Sequence, residues 1–113
     1  VFPARAEGWN LELLEMMAVG RPVIATNYSA HTEFCNEENC RLISVTKKEE
    51  AWDGIWFKGQ GNWAALDKGV VDELKYLMQS EYEVGPSYNR SGVETAQKYT
   101  WEASADAVVK GLE

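Results

Sequence analysis

The chain has 113 residues, of which 45% are hydrophobic and 26% charged, a composition typical of one folded domain or part of one and not of a disordered segment. Its 18 acidic and 11 basic side chains leave a formal net charge of −7, so it lacks the basic surplus that binds nucleic acid or an anionic membrane. No apolar run reaches the roughly 20 residues that span a bilayer, and no signal peptide is visible. We therefore expect a soluble, cytoplasmic protein that does not bind nucleic acid.

The cysteines indicate the cellular compartment, and the first residues indicate whether the sequence is a fragment. Cys35 and Cys40 are too few for a disulfide scaffold, which favours a reducing compartment. The sequence begins at Val1, without a methionine and inside a hydrophobic pattern, so we expect a fragment of a longer protein. No linker or internal repeat is visible, and residues 1–113 are expected to form a single partial domain.

The first half of the chain has the pattern of an α/β unit. Apolar residues fill the predicted first helix except at Glu12 and Glu15, so we expect most of its circumference to be buried. The strands that follow are short and apolar without alternation, as in a parallel sheet covered on both faces. The predicted elements are a strand end at 1–3, a loop at 4–10, a helix at 11–19, strands at 22–26 and 41–45, and between them a short helical turn around 32–34.

The segment from Lys47 to Trp63 is rich in tryptophan and glycine and has two interpretations. One is a long functional or mobile loop. The other, which we favour, is a β-hairpin with Ile55–Lys58 as one arm and its aromatic side chains packed on the edge of the domain.

The second half is predicted to be mainly helical. Asp67 is a good N-cap for a helix with one apolar stripe, and Thr100 is a good N-cap for the last helix. A weakly patterned helix is predicted between them, within 87–99. The stripe of the first of these helices comprises Val70, Val71, Leu74, Leu77 and Met78, and the apolar face of the last comprises Trp101, Ala105, Val108 and Leu112. The order of elements predicts an α/β fold with three layers around a parallel sheet.

Two glutamates are the most informative polar residues. Glu15 lies among apolar helix residues, where a buried carboxylate is costly unless it is hydrogen-bonded. It either faces solvent beside Glu12 or faces a cleft and accepts hydrogen bonds from ligand hydroxyls. Glu7 precedes the helix, where the dipole and free N–H groups favour anions, and is either an ordinary helix-start acid or part of a site. Gly8 would let a ligand approach the backbone closely.

Several segments together resemble one family in chain order. Glu7 and Glu15 form an E-x7-E pattern that leads into the apolar strand ending at Thr26. The family's following turn and short helix resemble residues 27–34. Two further stretches, Trp63–Asp67 and Tyr99–Glu102, resemble its W-A-x-x-D segment and the start of its last helix. The chain resembles the retaining glycosyltransferases of family 4, which have the two-domain GT-B architecture.

This resemblance implies a fold and a set of roles. The chain would be the second half of the Rossmann-like, donor-binding C-terminal domain of a hexosyl-type glycosyltransferase, which moves a sugar from a nucleotide-sugar donor to an acceptor with retention of configuration. Glu7 would contact the donor sugar and Glu15 the ribose of the nucleotide. The loop after the first glutamate would offer backbone groups to the sugar, from Gly8, Trp9, Asn10 and Leu11. The family works without a bound metal, so no metal or other cofactor is expected.

The resemblance also has departures. Asn10 stands where the family most often has glycine or serine, and its side chain could change the preference for the donor sugar or add an amide contact. The basic residues that bind the diphosphate, the glycine-rich loop and the N-terminal acceptor-binding domain would lie before Val1, so we expect this fragment to be inactive alone. Half a parallel sheet leaves an uncovered edge or face, which predicts self-association. The intact enzyme would be cytoplasmic, with a membrane-peripheral location as the alternative.

A rival interpretation from another class remains. The chain could be a non-catalytic module that binds carbohydrate or protein through the tryptophan-rich segment, although packing of these rings is the more common use. The set of His31, Cys35 and Cys40 matches no common zinc pattern and predicts no metal site.

Overall fold

A computed structural model describes residues 1–112, and Glu113 lies outside the described residues. The described chain contains four α-helices, one short 3-10 helix and four β-strands in two sheets. In chain order these are α1 (Leu11–Ala18), β1 (Ile24–Thr26), the 3-10 helix (Ala30–Glu33), β2 (Arg41–Ile43), β3 (Lys48–Trp52), β4 (Lys58–Ala64), α2 (Lys68–Val84), α3 (Arg90–Ala96) and α4 (Trp101–Gly111).

A small parallel sheet forms the centre of the fold. β1 and β2 pair in parallel, with Ala25 opposite Leu42. Phe2 adds a third parallel position on the other side of β1, because its N–H donates to the Ile24 carbonyl (2.7 Å). The predicted strand end and both predicted strands are therefore confirmed, and each strand is two residues shorter than its predicted apolar run.

Alternate side chains of β1 enter two different cores, which gives the predicted three layers. Ala25 packs in the cluster on the side of α1, and Ile24 packs with Ile43 on the side of α2. The core on the α1 side comprises Leu13, Leu14, Met17, Val23, Ala25, Phe34, Cys35 and Cys40. The core on the α2 side comprises Ile24, Ile43 and Val70, flanked by Leu74 and Leu77. The fold is mixed α/β, consistent with a partial Rossmann-like domain.

Helix α1 has the predicted position but a narrower buried face. Its buried side chains are Leu13, Leu14 and Met17. Leu11 is 59% exposed and Val19 is 62% exposed, so the expectation that most of the circumference is buried is wrong. Among the described elements, α1 packs on α3 and on the sheet, and these cover only one side of a helix.

The tryptophan-rich segment forms an antiparallel hairpin, so the interpretation as a long loop is wrong. β3 pairs with β4, and Glu49 lies opposite Trp63. The predicted arm at Ile55–Lys58 is also wrong, because residues 53–57 form the turn. Asp53 and Gly54 start that turn: the carboxylate of Asp53 accepts backbone N–H groups beyond it, and Gly54 has a φ of 79°.

Two of the three later helices, α2 and α4, begin at the expected caps. Asp67 Oδ1 accepts the Val70 N–H (3.2 Å) at the start of α2, and the Thr100 hydroxyl accepts the Ala103 N–H (3.1 Å) at the start of α4. On α2, Val70 is buried whereas Val71 and Met78 are exposed, so the apolar stripe is narrower than predicted. α4 packs against none of the other described elements, and its apolar face is exposed. Within residues 1–112, no helix is both long and apolar enough to cross a membrane.

Candidate functional site

The carboxyl ends of the parallel strands meet at one edge of the sheet, where open α/β sheets bind their ligands. The loop at 3–10 follows the strand position of Phe2, and the loop at 27–29 follows β1. The Thr26 hydroxyl donates to the Ala4 carbonyl (2.6 Å), which holds the first loop against the end of β1. The six residues predicted to contact a ligand lie in the first loop and in α1.

Glu7 is fixed through its backbone, while the residue itself is exposed. The Glu7 N–H donates to Ser29 Oγ (2.7 Å), and the Ser29 hydroxyl donates to the Glu7 carbonyl (2.8 Å). Ser29 has φ 77° and ψ −166°, a conformation that glycine adopts easily and other residues adopt only under strain. The two loops of this edge are thus joined at a strained residue, which sequence patterns gave no means to detect.

Asn10 is a buried N-cap whose side-chain NH2 group has no hydrogen-bond partner among residues 1–112. It is 5% exposed and left-handed (φ 72°), and its Oδ1 accepts the Leu13 N–H (3.3 Å). Within residues 1–112, its Nδ2 is buried without a hydrogen-bond partner. A buried amide without a partner costs about 1–3 kcal/mol, which makes this group a candidate donor to a ligand.

The other predicted residues divide between the loop surface and a groove. Gly8 is exposed, and a Cβ added there would meet open space. An open groove of about 550 Å³ runs between α1 and the start of α4. Trp9, Leu11 and Glu15 line this groove, whereas Glu7, Gly8 and Asn10 do not.

Glu15 is exposed, as the interpretation that places it in solvent beside Glu12 had it, and it also lines the groove. The physical reason is the narrow buried face of α1, on which Leu14 and Met17 point to the core and Glu15 falls outside it. Glu15 lines the groove together with Trp9 and Tyr99, whose rings pack edge to face at 5.3 Å. The groove therefore combines an exposed acidic residue with two aromatic rings.

The hairpin is attached to the same edge, a contact that sequence reasoning missed. The Ala64 N–H donates to the Arg5 carbonyl (2.8 Å), and the Tyr28 hydroxyl donates to the Asn62 carbonyl (2.9 Å). The guanidinium of Arg5 lies over the ring of Trp63, 4.4 Å from its centroid, and pairs with Glu49. Arg5 is thus occupied in anchoring the hairpin.

His31 and the cysteines are core residues. His31 is completely buried, and its Nε2 is 2.6 Å from the Thr26 carbonyl. Cys35 and Cys40 are free and buried, and a hydrogen bond between the two thiols, together with burial, raises the pKa of Cys35. No group of three or more residues of the types His, Cys, Asp and Glu that could hold a metal is found in the described part of the chain.

Residues 1–55 match the family model described as glycosyl transferases group 1. The matched segment contains the sheet, α1 and all six predicted ligand residues, and it ends in the turn of the hairpin. Comparisons with curated proteins and with solved structures gave no significant match. The chain is thus similar to glycosyltransferases in the segment that builds the candidate site.

Proposed function

We propose that this chain is part of the donor-binding domain of a hexosyl-type glycosyltransferase, which transfers a sugar from a nucleotide-sugar donor with retention of configuration, as the resemblance to family 4 implies. One observation carries the proposal. The segment that matches the glycosyltransferase model contains a loop that is open to solvent at the carboxyl edge of a parallel sheet and leads into a helix N-terminus.

The loop offers the groups that a sugar with many hydroxyls requires. The carboxylate of Glu7 accepts hydroxyl hydrogens, and the buried amide Nδ2 of Asn10 has a hydrogen to donate. Gly8 leaves space for close approach of the sugar to the backbone. In this proposal the donor sugar contacts the loop from Glu7 to Leu11.

Glu15 takes the role of ribose ligand. A carboxylate accepts hydrogen bonds from two adjacent hydroxyls, and Glu15 lines a groove that Trp9 also lines. Neither Glu15 nor Glu7 needs to carry a proton. Their contribution is to position the donor and to stabilise charge in the transition state.

The diphosphate needs basic groups that this loop does not supply. Arg5, the arginine of the loop, is committed to Glu49 and to the ring of Trp63. We therefore place the diphosphate-binding residues, together with an acceptor-binding N-terminal domain, in the rest of the enzyme. In this proposal the 113 residues are inactive alone, and no metal takes part, as the resemblance implies.

The test compares two glutamates of α1 in the intact enzyme. Glu15→Gln should weaken binding of the nucleotide-sugar at least about ten-fold, because a charged hydrogen bond to ribose hydroxyls is lost. Glu12→Gln is the matched control, since Glu12 is exposed on the same helix and does not line the groove. Calorimetric titration with UDP-glucose, GDP-mannose and ADP-glucose measures the affinity and identifies the donor.

Gly8→Ala supplies a second variant. Its methyl group meets open space in the free protein, so folding stability should hold while donor binding falls. Equal donor affinities in the wild type, Glu15→Gln and Gly8→Ala would remove both residues from the site.

A further inference from the structure

The turn between β3 and β4 presents large hydrophobic side chains to solvent. We call residues 52–57 the hairpin tip. Soluble proteins rarely expose contiguous apolar groups unless they contact a partner or a membrane. The exposed fractions are 61% for Trp52, 71% for Ile55, 83% for Trp56 and 43% for Phe57.

The tip is held in one conformation by its own hydrogen bonds. Asp53 Oδ1 accepts the N–H groups of Ile55, Trp56 and Phe57 at 2.8–2.9 Å, and the Asp53 N–H donates to the Phe57 carbonyl (3.1 Å). Four backbone N–H groups of the turn therefore have partners within it. Internal pairing of backbone groups is what an apolar surrounding requires.

The tip also projects from the body of the protein. Ala64, at the end of β4, is bonded to Arg5 at the sheet edge. At about 3.3 Å per residue, β4 carries the tip about 20 Å away from that anchor. A projecting turn offers little of the roughly 800 Å² per partner that a stable protein interface buries. A bilayer, by contrast, closes around a protruding group, and tryptophan favours its interfacial layer.

Charge further defines the kind of membrane. The hairpin segment 47–64 contains three lysines and three acidic residues, and the whole chain has a net charge of −7. Attraction to anionic lipid therefore contributes nothing, and the hydrophobic side chains must provide the affinity.

We propose that the hairpin tip inserts into the interfacial layer of a zwitterionic lipid bilayer and holds the carboxyl edge of the sheet near the membrane surface. Insertion is shallow, because the ionised carboxylate of Asp53 stays at the level of the headgroups. This inference rests on the hairpin alone and stands independently of the enzymatic proposal.

The experiment measures partition of the 113-residue chain into phosphatidylcholine vesicles by flotation. Wild type should bind with little dependence on salt, and Trp56→Ser should lower the partition coefficient at least about ten-fold. Tyr82→Ser is the matched control, because Tyr82 is 86% exposed on α2, outside the tip, and should bind like wild type. Brominated phosphatidylcholine should quench tryptophan emission in the wild type and in Trp101→Phe, which removes the exposed tryptophan of α4.

Ile55→Ser should also weaken binding, and this variant keeps every tryptophan. It replaces Trp56→Ser in the test if circular dichroism shows that Trp56→Ser does not fold. Three results would overturn the proposal. The first is no partition of the wild type, or partition unchanged in both tip variants. The second is binding only to phosphatidylserine-rich vesicles that salt abolishes, which would assign it to the lysines. The third is a change in tryptophan emission when maltoheptaose is added, together with no binding to vesicles, which would support the carbohydrate-binding module instead.

Discussion

Two residues with positive φ mark the candidate site. Asn10 is left-handed, a conformation that asparagine tolerates, and its side chain caps α1. Ser29 has φ 77° and ψ −166°, a conformation that serine does not adopt easily, and it stores about 1–3 kcal/mol of backbone strain. Its hydroxyl compensates by joining two loops through the Glu7 backbone. The position of Glu7 therefore depends on a serine 22 residues later in the chain.

Two substitutions of Ser29 separate strain from bonding. Ser29→Ala removes the bonds to Glu7 and keeps the strain, so the free energy of unfolding should fall by about 1 kcal/mol. Ser29→Gly removes the same bonds but relieves the strain, which outweighs its chain-entropy cost of about 0.4–1 kcal/mol. Urea unfolding should therefore rank Ser29→Gly above Ser29→Ala in stability. The reverse order would show that the serine backbone is relaxed.

At the scale of elements, local side-chain caps decide where the hairpin turn and the long helix begin. The carboxylate of Asp53 accepts hydrogen bonds from three N–H groups of the turn. These bonds, of which that from Phe57 has the largest effect, hold the pKa of the Asp53 carboxyl below its usual range. Asp67 accepts the Val70 N–H at the start of α2, which together with Lys47 lowers its pKa also. Both elements are thus favoured by ionised carboxylates.

These lowered pKa values predict a loss of stability in acid. As the pH falls, each aspartate of the unfolded chain binds a proton near about pH 4, whereas the same aspartate in the folded chain binds it only at a lower pH. The unfolded state is therefore protonated first. The stabilisation is complete at neutral pH and disappears as the pH falls from about 4 through the lowered folded values. Urea unfolding from neutral pH to about pH 3 should show a smaller decrease for Asp53→Asn/Asp67→Asn than for wild type. Asp106→Asn, on exposed α4, should follow wild type.

The whole molecule is more extended than its length requires. Its radius of gyration is 16.1 Å, whereas a compact domain of this length has about 13 Å. The hairpin and α4 project from the layered core, and α4 exposes Trp101 (90%) and Val108 (64%). The uncovered apolar face of α4 favours contact with further protein.

This surface leads us to predict self-association of the 113-residue chain. Light scattering should detect a mass that rises with protein concentration, and Trp101→Ser/Val108→Ser should shift the chain toward monomer. Tyr76→Ser is the control, since Tyr76 is 71% exposed on α2 and lies outside that face. A single monomeric mass at all concentrations would contradict the prediction.

The sequence predicted the helices and strands better than it predicted the candidate site. Caps and apolar periodicity located α1, α2 and α4 and the parallel strands, because these signals act over a few residues. The sequence left open whether Glu15 is exposed or buried, since the width of a buried helix face depends on what packs against it. The one predicted arm of the hairpin, Ile55–Lys58, was wrong, because the hydrogen bonds of Asp53 hold most of this aromatic run in a turn.

The sequence by itself determined the α/β order, the caps and the E-x7-E pattern with the family it resembles. The tertiary structure alone decided that Ser29 fixes Glu7, that Arg5 and Tyr28 anchor the hairpin beside it, and that Glu15 faces a groove with Trp9. The reason is the range of the interactions. Caps and periodicity are set by neighbouring residues, whereas a site forms from loops that only the folded sheet brings to one edge.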